Sequence, residues 1–216
     1  MTLDEMISEL DLYGFEDLED DQKTLLLDEA YFDIVTREPW PFLENIIQFN
    51  KTDGLARVNV VTDELTGDEI TLEDTLGAVL SFTDISNQWI VTPERTDVIE
   101  QNYKLDALDD LTSHYYFVGY KLFLWPPPAG ATTYRMWYTK RPQSLQVENL
   151  LPASHHSVIV YGALIKAYLV NDDPQAAVFQ NLFEQKYQAM RNDVWMRQYD
   201  RTERIHVITD STDWNY

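Results

Sequence analysis

The sequence predicts an α+β protein: a discontinuous helical bundle of two N-terminal and two C-terminal helices, an inserted antiparallel β domain of sandwich or barrel type, and an extended C-terminal arm. Three observations carry this. Apolar residues recur at helical spacing as far as about Val35, the period shortens to alternation between about Gln48 and Gln143, and helical spacing returns from about Pro152 to Met190. The expected segments are 1–43 and 150–192 for the two halves of the helical lobe, 44–149 for the β domain and 193–216 for the arm.

Thr2 and Glu5 form a capping box, Leu3, Met6, Ile7 and Leu10 follow at helical spacing, and Gly14 can end the helix in the left-handed region. After the acidic run GFEDLEDDQ, Leu27, Tyr31, Ile34 and Val35 form a second stripe, which must stop before Pro39 and Pro41. Two short helices cannot bury such stripes alone, so they are expected to pack on the later helices. The middle region is rich in β-branched and aromatic residues. Its clearest unit is read as a hairpin in which Tyr116, Val118, Tyr120, Leu122 and Leu124 line one face, residues Trp125 to Gly130 turn, and Tyr134, Met136 and Tyr138 lead back. The three prolines of that loop cannot donate to a sheet, so they belong in a turn or on an edge.

From His155 to Val170 nearly every face is apolar or small and Lys166 is the only charged residue, the pattern of a helix buried on most sides. Asp173 can cap the next helix, with Pro174 at its first position. That helix is expected to present Phe179, Leu182, Phe183, Lys186 and Met190 as one stripe, the lysine packing by its stem. Beyond Asn192 the pattern loosens around Trp195, Met196, Tyr199, Ile205, Val207 and Ile208, with Arg191, Arg197, Arg201 and Arg204 interspersed. Two readings stand: a frayed terminus, or a segment that orders on a partner by adding a strand to its sheet.

The chain carries 37 Asp and Glu against 16 Lys and Arg, a formal charge of −21, which argues against clasping a phosphate backbone. With 13% aromatic residues it is not a disordered acidic chain. Between Met1 and Glu38 thirteen acids face two bases; they form either a solvated face or a surface that meets a basic partner or repels DNA. There is no cysteine, hence no disulfide framework or thiolate chemistry. The acidic, amphipathic start and the lack of a long apolar run read as a soluble chain with no targeting or membrane segment.

Chemical motifs are scarce. Phosphate-cradling glycine loops, the nucleophile elbow and H-E-x-x-H are absent. His155 and His156 are adjacent, so a helix points them apart, and His114 and His206 lie far away in the chain. Acidic pairs such as Asp109 with Asp110 are too numerous to be specific, and the stretch from Asp63 to Glu69 lacks EF-hand spacing and reads as a polar hairpin turn. No catalytic residue, metal site or cofactor is assigned, and no enzymatic activity is expected.

The run LFLWPPPAGATTYRMWYTKRPQSL, followed by LPASHHSVIVYGALIKAYLVNDDPQAAVFQNLFEQKYQAM, resembles the head-to-tail adaptor (connector, tail-tubular-type) proteins of tailed bacteriophages. The order of features matches: a strand entering a Pro-rich turn, a Tyr-rich return strand with a basic-Pro exit, then LP and a helix with YGAL-like and ND-P sequences. The N-terminal helix pair ending in W-P extends the likeness to residues 1–190. The resemblance implies a structural virion protein of the neck, made in the host cytoplasm. It implies a homo-oligomeric ring, most often a dodecamer, between the portal protein and the tail or a head-completion protein, with DNA passing through the lumen without specific binding. On that reading Arg191, Trp195, Tyr199, Arg201, Arg204, Ile205, Val207, Trp214 and Tyr216 form a portal- or partner-binding arm. Asp17, Glu19, Asp20 and Asp21 then face the channel. A second reading is a carbohydrate- or receptor-binding tail module using exposed aromatics such as Trp89, Trp125 and Trp137. A third is a metal-assisted hydrolase built from the acids.

Overall fold

The computed structural model describes residues 1–52, 56–102 and 112–210, apart from the side chains of residues 100–102 and 197–210. In chain order the elements are α1 (Leu3–Leu10), α2 (Asp20–Val35), β1 (Glu44–Lys51), β2 (Arg57–Val58), β3 (Val60–Thr62), β4 (Glu69–Thr71), α3 (Leu72–Thr75), β5 (Leu76–Asp84), β6 (Trp89–Ile90), β7 (Thr92–Pro93), α4 (Thr96–Asn102), β8 (His114–Val118), β9 (Lys121–Trp125), β10 (Thr132–Lys140), α5 (Ser157–Val170) and α6 (Gln175–Asp210). The fold class is α+β, with N-terminal and C-terminal helices flanking a β region. The chain divides into two compact units, one of residues Met1–Phe42 with Pro142–Tyr216 and one of Leu43–Arg141.

The helical unit starts as its sequence dictates. The Glu5 N–H donates to Thr2 Oγ1 (3.2 Å) and the Thr2 N–H to Glu5 Oε2 (2.8 Å), closing the capping box on α1. A wide turn over Asp11–Phe15 follows, and Gly14 adopts φ +90°, which a side chain would oppose. The α2 stripe is fully buried: Leu27, Ala30, Tyr31, Ile34 and Val35 are each at most 1% exposed. Burying one such leucine or isoleucine contributes about 1.5–3 kcal/mol. The Trp40 indole N–H then donates to the Ile34 carbonyl (2.8 Å), satisfying an acceptor at the open end of the helix.

Helix α5 packs against α6, α2 and α1, which explains why it is apolar all round. Gly162 marks its closest approach, since a Cβ there would lie 2.9 Å from Ala30 Cβ and 3.4 Å from a Phe183 ring carbon. At the turn into α6 the Gln175 N–H donates to Asp173 Oδ1 (2.8 Å), so Asp173 caps the helix that Pro174 introduces. The buried face of α6 consists of Ala176, Phe179, Tyr187, Met190 and Val194, with Phe183 half-buried. Lys186 is exposed, so the core position assigned to it belongs to Tyr187; seven residues separate Met190 from Phe183, and Tyr187 holds the intermediate place on that face.

The β unit is a sandwich of two four-stranded sheets with the orders β1-β10-β5-β6 and β2-β9-β8-β7, accompanied by the β3-β4 hairpin. Its single core combines Ile47, Phe49, Phe82, Tyr134, Met136 and Tyr138 of the first sheet with Val58, Tyr115, Leu122 and Leu124 of the second. The pairing is antiparallel except between β7 and β8, which are parallel.

Two expectations are corrected. The strand read through Tyr116 to Leu124 breaks at Gly119 (φ +63°) into the β8-β9 hairpin, and Val118 and Tyr120 are exposed at its tip. Its presumed return strand, β10, pairs instead with β1 and β5 in the other sheet. Leu122, Leu124, Tyr134, Met136 and Tyr138 nevertheless share one core because that core joins both sheets. The second correction concerns the C-terminus. The backbone is helical through Asp210, so residues 193–210 continue α6 rather than forming an extended arm. The physical reason is an absence of breakers, with no glycine or proline from Gln175 to Asp210 and many good helix formers.

Candidate assembly interface

The surface of the helical unit is built by α1, α2 and the two ends of the α5-α6 hairpin. Asp17, Glu19, Asp20 and Asp21 lie between α1 and the first turn of α2, all on the exposed side of the unit. Carboxylates there oppose the positive end of the α2 dipole, so the placement suits local stability as well as a surface role. Lys23 neutralises part of this field from below. It is 3% exposed, with Nζ 2.6 Å from Asp11 and 3.4 Å from Asp20. The Asp11 hydrogen bond leads the effects that raise its pKa, outweighing burial.

A second polar seam ties α2 to the hairpin. Lys166 Nζ lies 2.7 Å from Asp33 and 3.3 Å from Glu29; burial would lower its pKa, but the two carboxylates raise it on balance. The Tyr187 hydroxyl donates to Glu38 (3.1 Å), and its pKa is pushed up to about 12 by burial and then by the Glu38 charge. Arg37 stacks over the Tyr187 ring at 4.8 Å.

Of the residues expected in a partner-binding arm, Arg191 donates from Nε to Glu38 (3.1 Å) and so also braces the unit's own fold. Trp195 is half-buried, and its indole nitrogen is buried without an acceptor among the described residues. Tyr199, Arg201, Arg204, Ile205 and Val207 lie on the helical backbone of α6, while Trp214 and Tyr216 fall outside the described residues.

His155 and His156 hold the fold together. His155 bonds Asp193 (2.9 Å) and buried His156 bonds the Leu151 carbonyl (2.9 Å), both fixing the start of α5. Asp63, in the acidic β3-β4 turn, is 3% exposed and accepts hydrogen bonds from Gln48 N, Leu65 N and Thr66 Oγ1. It stitches a hairpin together. Among the described residues no group of three or more His, Asp or Glu side chains is arranged to hold a metal ion. Trp89, Trp125 and Trp137 are spread over the two sheets. Trp137 is exposed on the outward face of the first sheet, Trp89 pairs with core-facing Asp84 at the sheet edge, and Trp125 is half-buried on the other sheet.

Sequence reasoning overlooked the end of the hairpin where α5 turns into α6. There the Tyr168 ring stacks on Phe179 (5.2 Å) and meets Phe15 edge-on (4.8 Å), and its hydroxyl donates to the Tyr13 carbonyl (2.9 Å). Next to these rings in sequence, Leu12, Leu169, Val170 and Val178 remain in solvent. The signal was that α5 stays apolar to its last residue, directly before a turn.

The model of the SU10 adaptor protein family matches residues 1–207. The chain belongs to that family. It is therefore a phage structural adaptor, the kind of virion protein that contacts other head and tail proteins. No curated protein matches the chain. No helix among the described residues is long and apolar enough to cross a membrane.

Proposed function

We propose that this SU10-type adaptor closes into a homo-oligomeric ring, a dodecamer, and connects the portal to the tail or to a head-completion protein. The observation that supports this reading is the match of the SU10 adaptor family to residues 1–207. The C-terminal part of the chain, from Arg191 through Trp195, Tyr199, Arg201, Arg204, Ile205 and Val207 to Trp214 and Tyr216, provides the contact with the portal and other partners. The carboxylates of Asp17, Glu19, Asp20 and Asp21 face the lumen. An acidic wall disfavours phosphate contacts everywhere along it, so DNA passes without adhering.

The test is quantitative mass spectrometry of purified particles, comparing the copy number of this chain with that of the portal, for the full chain and for a truncation lacking residues 195–216. A near-equal ratio for the full chain, lost on truncation, is expected. A count matching fibres or capsomers, or absence from the particle, overturns the reading. Truncated protein retained at portal stoichiometry overturns the role of the C-terminal segment.

A further inference from the structure

The apolar corner at the α5-α6 turn is unusual for so charged a chain. Leu12 is 85% exposed, Val170 82%, Leu169 63% and Val178 57%, on segments that the Phe15–Tyr168 and Tyr168–Phe179 ring contacts bring together. Scattered exposed aliphatics need no explanation, but four on segments joined by one ring cluster fit a contact surface. Its charge is one-sided as well. Residues 1–16 and 167–185, which build the corner, contain eight Asp and Glu and no Lys or Arg. Of the lysines bordering these stretches, Lys23 is buried between Asp11 and Asp20, and Lys166 is paired with Glu29 and Asp33. The corner therefore fits an apolar segment that also carries positive charge.

The chain contains such a segment at the opposite end of the same hairpin. Residues 191–204 hold four of its sixteen Lys and Arg residues against three acids, Asp193, Asp200 and Glu203, with Arg197, Arg201 and Arg204 at i, i+4 and i+7 spacing, together with Trp195, Tyr199 and Met196, the last 73% exposed. The His155–Asp193 bond marks where α5 begins alongside α6, and α6 continues from there to Asp210. At about 1.5 Å per residue, Val178 and Arg204 are roughly 39 Å apart along one helix, so a copy cannot bring its own α6 end to its own corner. Complementary surfaces at opposite ends of one body join head to tail, the arrangement from which rings are made.

We propose that the corner of Leu12, Leu169, Val170 and Val178 receives the α6 segment around Trp195 to Arg204 of a second copy, and that this contact links neighbours in the assembly. The inference rests on the ring reading above and divides the work of the C-terminal region. Its helical part engages the neighbouring copy, leaving the residues beyond it for the portal.

Because the chain has no cysteine, introduced thiols report the contact directly. Full-length chain carrying Val170→Cys together with Arg201→Cys is incorporated into particles and treated with a short bismaleimide. A ladder of covalent multimers is expected, and neither single variant should give one. In a second measurement, Val170→Asp/Val178→Asp and Arg197→Glu/Arg201→Glu/Arg204→Glu chains are crosslinked in solution with a lysine-reactive reagent, separately and as an equal mixture. Each alone should lose its multimers, and the mixture should stop at a dimer, since each variant keeps one competent surface. Particles that contain the chain at portal stoichiometry but give no ladder overturn this inference and leave the ring reading standing. Absence of the chain from particles overturns both. If the corner variant alone crosslinks as well as the parent, the corner is not the receiving surface, and a portal or tail protein captured by the thiol of the Val170→Cys chain would identify the other occupant.

Discussion

Replacing Gly162 by alanine tests how tightly the three central helices of the helical unit interlock. A glycine in a helix interior ordinarily costs about 0.8–1.0 kcal/mol relative to alanine, so propensity alone predicts stabilisation. The packing predicts the reverse. The new methyl would lie 2.9 Å from Ala30 Cβ and 3.4 Å from a Phe183 ring carbon. Carbon pairs are comfortable at about 3.5–4.0 Å, so α2 must retreat by roughly 0.6–1.1 Å. Ala30 lies beside Leu27, Tyr31 and Ile34, all buried, so the retreat loosens the whole α2 stripe. Overpacking of this kind costs about 1–3 kcal/mol, which leaves Gly162→Ala destabilised by roughly 1 kcal/mol after the propensity gain. Urea unfolding followed by Trp40 fluorescence reads this unit, because that indole is 1% exposed within it. Ala30→Gly removes the nearer clash, so the double variant should show a favourable coupling of about 1 kcal/mol. A Gly162→Ala protein more stable than the parent, or strictly additive single and double variants, would refute the reasoning.

Two further outcomes are expected. Burial pushes the Tyr31 pKa up to about 12, against an ordinary value of 10.0, and its hydroxyl accepts from the Leu150 N–H (3.3 Å). Above pH 10 the unfolded chain ionises this phenol while the folded chain still holds its proton. The folded state thus binds more protons, and stability falls as pH rises from about 10 to 12, by up to roughly 2–3 kcal/mol. Urea midpoints across that range should decline less steeply in Tyr31→Phe; an unchanged slope would remove Tyr31 from the explanation. Asp63→Ala should cost about 2–3 kcal/mol, since it leaves the Gln48 and Leu65 N–H groups without their acceptor. Amide hydrogen exchange should quicken from Val60 to Thr71 and stay unchanged in α5, whereas unaltered protection of that hairpin would show the carboxylate to be dispensable.

What the sequence made legible follows the range of the forces involved. The capping box at Thr2, the left-handed Gly14 and the Asp173-Pro174 start are each fixed within about four residues, and each is found as expected. The stripe of α2 and the all-round apolarity of α5 were equally readable, because periodicity is local even when the burial it reports is not. Strand partnership depends on residues far apart in the chain. Nothing near β10 says that its partners are β1 and β5 rather than the strand just before it. The single glycine at 119 that divides β8 from β9 competes with an alternation that runs straight through it. In α6, attention to aromatics and arginines beyond Asn192 concealed the simpler fact that no breaker interrupts the helix. The interaction surface was harder still. The acidic residues were countable, but the apolar corner emerges only when Leu12, in the wide turn after α1, and the end of α5 are brought to the same ring cluster.

The helical unit is assembled from both ends of the chain, and this imposes an order on its birth at the ribosome. Helices α1 and α2 emerge first, with Leu27, Tyr31 and Ile34 lacking the surface that will cover them. The β unit is contiguous and can complete its own core while synthesis continues, as domains commonly do during translation. Only when α5 has been made can the N-terminal helices dock, and α6 is finished later still. The two surfaces proposed to join neighbouring copies both draw on α5 or α6, so each is completed only after the β unit has been made.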